Sequence, residues 1–374
     1  MPSESLFASK QHPIFVLGIL QRSGTNYLNN LLLLHPDVKS PGLVWEDFFL
    51  AHGDLLASYI ESVQRRWPQQ WAEEVGAELG PKALLRYMGN GLVEFIEAQY
   101  RNRLAKGVYP APERAPVSLV TATPCVHNLH LFFDLFPDAA PIIIVRDGRA
   151  VVESGVRSFG WDYDEAMRMW AKGARRIQAF CGNPEYEGRF LLLRYEDLYT
   201  RTSKVIGKVL DFLQLDRSCY DFAAAENLPV MGSSELVDSE DCVHWNAVNK
   251  PADFNPLARA NQWGDALNSR FAWIVGKQMQ ELGYEMGHTE HRAAWNLLLD
   301  MNVSLSIRLQ QHWPAASTWL RLAFLRLLQL PSKKNMRHDP AWPLLKEKPS
   351  LLAGFDKRSY PQLTHSPDRR RPLL

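Results

Sequence analysis

The chain has 374 residues and a formal net charge of +1, enough length for one elaborate domain or two smaller ones, without the basic excess that general nucleic-acid binding needs. The neutral total hides an asymmetry: from His288 onward there are 14 Lys/Arg against 6 Asp/Glu, which leaves 28 against 35 before it. The four cysteines, Cys125, Cys181, Cys219 and Cys242, form no C-x-x-C pair, which argues against zinc ligation or a disulfide frame and for reduced thiols.

In chain order, residues 14–20 (Ile-Phe-Val-Leu-Gly-Ile-Leu) are an unbroken apolar run of strand length, expected to be buried on both faces of a parallel sheet. A core strand this early leaves no room ahead of it for a signal peptide or membrane anchor, so a cytoplasmic location is expected. Residues 21–26 are small and polar, with Arg22 as the one fixed cation, and residues 27–34 read as a helix that stops before Pro36. Residues 38–41 read as a connection, and residues 44–50 open a region without clear strands. From Asp54 to about Lys106, Leu55, Leu56, Tyr59, Ile60 and Val63 recur at helical spacing. A helical insertion over 52–115 is therefore expected to cap the site and face the acceptor.

Further strands are predicted at 117–121, 141–145 and 190–193, and helices at 127–136, 149–159, 163–181, 204–213 and 267–282. This alternation predicts an α/β fold with a parallel sheet flanked by helices, in one domain over 1–287. Residues 227–263 are rich in turn formers and read as a long loop near the site. A basic helical extension over 288–374 follows, ending in a disordered tail. Within it, Leu320, Phe324, Leu327 and Leu328 share a helix face punctuated by Arg321 and Arg326, a pattern that suits packing on the domain or peripheral contact with an anionic membrane.

A strand, a glycine turn and a helix start at Gly18–Tyr27 gather unpaired backbone N–H groups and the positive end of a helix dipole around one point, which favours an anion. The turn is not a Walker A motif: five residues separate Gly18 from Gly24, and Thr25 stands where that motif has lysine. A second cluster follows the strand at 141–145. There Arg146 sits at the strand tip and Ser154 lies eight residues on, supplying a charged fork and a hydroxyl for a second phosphate.

Taken together, these segments resemble the sulfotransferases that use 3′-phosphoadenosine 5′-phosphosulfate. Gln21-Arg22-Ser23-Gly24-Thr25-Asn26 resembles their 5′-phosphosulfate loop, in the arginine form of tyrosylprotein and many bacterial members, and Arg146 to Ser154 resembles their 3′-phosphate motif. Arg194-Tyr195-Glu196-Asp197-Leu198 is similar to the segment whose tyrosine lies against adenine. More loosely, Arg259-Ala260-Asn261-Gln262-Trp263 is similar to a basic, tryptophan-containing stretch near the family's C-terminal end.

The resemblance spans about residues 13–287 and implies a P-loop-like fold with no metal. Arg22, Ser23, Gly24, Thr25 and Asn26 would hold the phosphosulfate, Arg146 and Ser154 the 3′-phosphate, and Tyr195 and Arg259 would complete the nucleotide site. Arg22 would also stabilise charge on the moving sulfuryl group. Glu46 is expected as the general base, partly desolvated by Trp45 and Phe48 and so raised in pKa, with Asp47 and His127 as competitors. The acceptor would be a hydroxyl on a small molecule, glycan or peptide. One departure stands out: relatives often carry Lys-Thr-Pro where this chain has Ala122-Thr123-Pro124, leaving Lys250 or Arg259 to substitute for the lysine. The alternatives are a P-loop kinase, disfavoured by the missing Walker lysine, and a catalytically weak relative that only binds nucleotide.

Overall fold

The computed structural model describes residues 12–42, 44–75, 80–110, 117–233, 247–249, 251–252, 254–259, 263–286 and 293–301. Its centre is a five-stranded, wholly parallel sheet in the order β2-β3-β1-β4-β5. The strands are β1 (Ile14–Gly18), β2 (Val38–Lys39), β3 (Ser118–Thr123), β4 (Ala140–Val145) and β5 (Leu191–Arg194). The expected α/β architecture is therefore present, with one correction. Val38 and Lys39, read from sequence as part of a connection, form the edge strand beside Ser118 and Leu119. Two residues are too few to show a period, and only their neighbour makes them a strand.

The helices are α1 (Thr25–Leu32), α2 (Gly53–Gln64), α3 (Gln69–Val75), α4 (Pro81–Ala105), α5 (Phe132–Leu135), α6 (Gly148–Phe159), α7 (Tyr163–Cys181), α8 (Tyr195–Thr200), α9 (Thr202–Phe212), α10 (Phe222–Glu226) and α11 (Asp265–Glu281). The stretch predicted as one helix from 127 to 136 is a turn and a single 3-10 turn before the short α5. Residues 293–301 are also helical. They are held to α7 and α11 by buried Arg270, which donates to Asp164 and Asp300. The stretch 319–330, with its basic amphipathic pattern, and Cys242 lie outside the described residues.

Period-two alternation along the inner strands divides the core between the two sheet faces. Phe15, Leu17, Ile143 and Val145 join the side chains of α5, α6, α7 and α11, and the inner faces of α2 and α4 pack on the same cluster. Ile14, Val16, Ile142 and Ile144 join α1, α8 and α9 on the opposite face. Each fully buried aliphatic or aromatic side chain contributes roughly 1.5–3 kcal/mol. The α2–α4 block is docked closely at Gly89, where a Cβ would run into the Leu135 carbonyl.

The chain turns outward on both sides of β1: β3 and β2 lie to one side of it, β4 and β5 to the other. Parallel sheets open a crevice at such a reversal, beyond the carboxyl ends of the strands. Among the described residues, no helix is long and apolar enough to cross a membrane, and no group of His, Cys, Asp and Glu is arranged to hold a metal.

Candidate active site

The crevice is a cavity of about 360 Å³ whose walls include Arg22, Gly24, Thr25, Asn26, Glu46, Arg146, Tyr195 and Arg259. Side chains separated by more than 200 residues in sequence thus meet at the carboxyl edge of the sheet.

The turn after β1 is held from inside. The Ser23 hydroxyl donates to the Leu20 carbonyl and accepts from the Leu20 N–H, and the Ser23 N–H donates to the same carbonyl. Both polar groups of Ser23 are thereby engaged, and Ser23 is fully buried. Its neighbours take left-handed backbone conformations, Arg22 at φ 72° and Gly24 at φ 99°. Gly24 is required twice over, by that conformation and because a Cβ would enter the Tyr195 ring. The bonds of α1 begin with Leu28 N–H donating to the Gly24 carbonyl. The N–H groups of the first turn, Thr25 to Tyr27, therefore open toward the cavity those residues line.

Three guanidinium groups converge here. Arg22 donates from Nε to Ser154 Oγ (3.0 Å) and from Nη2 to the Gly232 carbonyl (2.6 Å). Arg146 donates to the carbonyls of Arg22 (3.0 Å) and Pro256 (2.5 Å) and lies over the Tyr195 ring, 4.3 Å from its centroid. Arg259 donates to Ser154 Oγ (2.6 Å) and Ser233 Oγ (3.3 Å). Ser154 is fully buried behind the arginines and does not line the cavity, so here its hydroxyl ties Arg22 to Arg259. Burial, reinforced by the charges of Arg259 and Arg146, lowers the Arg22 guanidinium to about 9; Glu46 acts in the opposite sense. A cation depressed in this way is short of negative charge. Arg146 is 4 % exposed, and its Nε has no hydrogen-bond partner among the described residues.

The match to known families covers residues 13–218, and the model it matches is that of the sulfotransferase family. The chain belongs to that family. It is 24% identical over 218 residues to a protein-tyrosine sulfotransferase of Drosophila melanogaster, a match covering 55% of this chain and 39% of that relative. The chain thus spans well under half of the relative's length. Among solved structures it is similar to the sulfotransferase domain of the Synechococcus PCC 7002 olefin synthase (20% identity, 74% of this chain and 97% of that one, TM-score 0.41). It is also similar to the sulfotransferase domain of the curacin biosynthetic pathway (21% identity, 74% and 99%, TM-score 0.41).

In this sulfotransferase-family chain the three carboxylate and imidazole candidates separate cleanly. Glu46 lines the cavity, and its backbone pairs with Ala122 of β3. Asp47 turns into the protein, where its carboxyl meets the Thr121 hydroxyl and accepts from the Thr123 hydroxyl and the Phe49 N–H. His127 occupies a turn and does not line the cavity. Of the two candidates for the cation missing at Ala122, Arg259 is in the cavity wall, and Lys250 lies outside the described residues, as do Ala260, Asn261 and Gln262. Trp263 faces away from the cavity and donates from its indole N–H to Glu153. Phe48, expected beside Glu46, lines the cavity with it, whereas sequence reasoning missed Phe159 and Tyr199, which also line it, and the backbone carbonyls of Gly232 and Pro256. Only Tyr199 left a signal, one helical turn after Tyr195.

Proposed function

We propose that this chain transfers a sulfuryl group from 3′-phosphoadenosine 5′-phosphosulfate to a hydroxyl acceptor. The observation that carries the reading is the convergence of the buried Arg146 and Arg259 and the half-buried Arg22 on one cavity that also holds a carboxylate. The residues suit a doubly anionic nucleotide: the depressed Arg22 and the unpartnered Arg146 Nε both gain from negative charge. The nucleotide supplies an activated sulfuryl group whose bond to the 5′-phosphate breaks as its bond to the acceptor oxygen forms.

Arg22 and the first-turn N–H groups of α1 bind the phosphosulfate end and stabilise charge on the sulfuryl oxygens. Arg146, Arg259 and the Ser154 that links Arg259 to Arg22 form the 3′-phosphate side. The Tyr195 ring, fixed between Gly24 and the Arg146 guanidinium, offers an apolar wall to the adenine. Glu46 takes the proton of the acceptor hydroxyl and delivers the oxygen in line. The α2–α4 block is the acceptor-side insertion, and the acceptor is a small-molecule, glycan or peptide alcohol or phenol.

The test has two arms. The product nucleotide 3′-phosphoadenosine 5′-phosphate should raise the melting temperature, and ATP with Mg²⁺ should not. Labelled sulfate should then pass from the donor to a member of a panel of phenols, sugars, sterols and tyrosine peptides. A shift by ATP in place of the bisphosphate overturns the reading.

A further inference from the structure

Residues 45–49 run along the carboxyl end of β3 and alternate in direction. The Ala122 N–H donates to the Trp45 carbonyl (2.8 Å) and the Asp47 N–H donates to the Ala122 carbonyl (3.2 Å). Glu46 and Phe48 line the cavity on either side of Asp47, which turns inward and is 7% exposed. Its carboxyl meets Thr121 Oγ1 at 2.6 Å through Oδ2, and through Oδ1 it accepts from Thr123 Oγ1 (2.9 Å) and the Phe49 N–H (2.8 Å). The last bond closes a tight turn around Phe48, whose φ of 53° is a strained value for an aromatic residue.

The hydrogens do not add up if Asp47 is ionised. Thr121 Oγ1 lies 2.6 Å from Asp47 Oδ2 and also 2.8 Å from the Trp45 carbonyl oxygen. A hydroxyl carries one hydrogen, and a carbonyl and a carboxylate can only accept. One of these contacts, the first buried and the second partly so, would then be oxygen against oxygen with nothing between, a costly arrangement away from water. A proton on Asp47 Oδ2 resolves it. The acid donates to Thr121 Oγ1, and the threonine hydrogen goes on to the Trp45 carbonyl.

We infer that Asp47 is a neutral carboxylic acid whose proton closes a relay through Thr121 to the Trp45 backbone, positioning Glu46 and Phe48 at the cavity. Burial pushes this carboxyl up to about 6, against a lowering pull from a Thr121 hydroxyl hydrogen aimed at it. Turning that hydrogen to Trp45 removes a bond that favours the ionised form, and so pushes the carboxyl higher. The groups that bear on it are the Thr121 and Thr123 hydroxyls, the Phe49 and Asp47 N–H groups and, electrostatically, the buried Cys125 thiol. Asp47 is thus a positioning residue, and its consequence for turnover rests on the reading of Glu46 as the base. A neutral neighbour also leaves Glu46 as the one anion of the pair, facing Arg22.

The closing experiment compares Asp47→Asn, Asp47→Ala and Thr121→Val. The asparagine amide can donate to Thr121 from Nδ2 and accept from Thr123 and Phe49 through Oδ1, reproducing the neutral acid. Infrared difference spectra at neutral pH should show a protonated-carboxyl stretch in the wild type that Asp47→Asn abolishes. Asp47→Ala and Thr121→Val should lower kcat by about 10- to 100-fold with the affinity for 3′-phosphoadenosine 5′-phosphate unchanged, and Asp47→Asn should restore kcat to within about threefold of wild type. A missing infrared band, or Asp47→Asn as impaired as Asp47→Ala, overturns the inference. Because the band and the nucleotide affinity need no turnover, an inactive wild type with the band present would sink the sulfotransferase reading and leave the protonation of Asp47 standing.

Discussion

Replacing Arg146 with alanine tests the nucleotide cradle at its most buried arginine. In the empty protein two effects oppose each other. The change removes two charged donors from the carbonyls of Arg22 and Pro256, and it also removes a positive charge that depresses Arg22. The melting temperature of the nucleotide-free variant therefore reports these terms alone and serves as the baseline. With nucleotide present, the 3′-phosphate loses a guanidinium fork at a site that water barely reaches. A hydrogen bond to a charged group is worth about 1.5–3 kcal/mol, so the loss of the fork should weaken binding by roughly 3 kcal/mol, or about 100-fold. Isothermal titration of 3′-phosphoadenosine 5′-phosphate against adenosine 5′-phosphate isolates that contact, because the second ligand lacks the 3′ group. The bisphosphate should lose the full factor and the monophosphate little. Equal losses for the two ligands, or no loss for either, would refute the assignment of Arg146 to the 3′-phosphate.

Glu46→Gln should lower kcat by about 10²- to 10⁴-fold while nucleotide affinity holds, the pattern expected when a general base is lost; a rate near wild type would move the base elsewhere. Burial and the charges of Arg259 and Arg146 hold the Arg22 guanidinium down to about 9, and bound anion must raise that value, so binding should take up a proton and weaken as pH climbs past 9, measurable by calorimetry in buffers of different ionisation enthalpy. The same depression has the opposite sign for the empty fold: the cost of the buried charge is present below the folded value and is relieved as Arg22 deprotonates above it. Gly24→Ala should abolish nucleotide-induced stabilisation and lower the melting temperature, since it meets both the left-handed backbone and the Tyr195 ring; a variant that still binds would show that the ring can move. Arg270→Ala leaves Asp164 and Asp300 without their shared buried partner, which should cost about 3–5 kcal/mol by urea denaturation.

Much of this protein was written locally. The apolar runs at β1 and β4 are buried on both faces, and each ends where the chemistry changes abruptly to Arg22 or Arg146, so a strand, a turn and a cation were legible without neighbours. The helix α7 was legible for the same reason: its apolar period continues for five turns between a capping Asp162 and Gly182. Spacing alone also put Ser154 two turns into a helix. It did not show that the hydroxyl would bind two arginines from distant segments.

What only the tertiary structure decided is which residues stand next to one another across the sheet. Val38 and Lys39 become a strand because β3 offers them partners, and Gly232 and Pro256 become part of the cradle because their carbonyls meet arginines more than a hundred positions away. The sharpest case is Glu46 and Asp47. Adjacent carboxylates are equivalent as sequence, and both were candidates for the base. Pairing of residues 45–47 with β3 fixes the alternation, turning one acid to the cavity and the other onto Thr121 and Thr123. Side-chain direction in an extended segment has period two, but its phase is set by the strand it lies against, and that strand is more than seventy residues away in sequence.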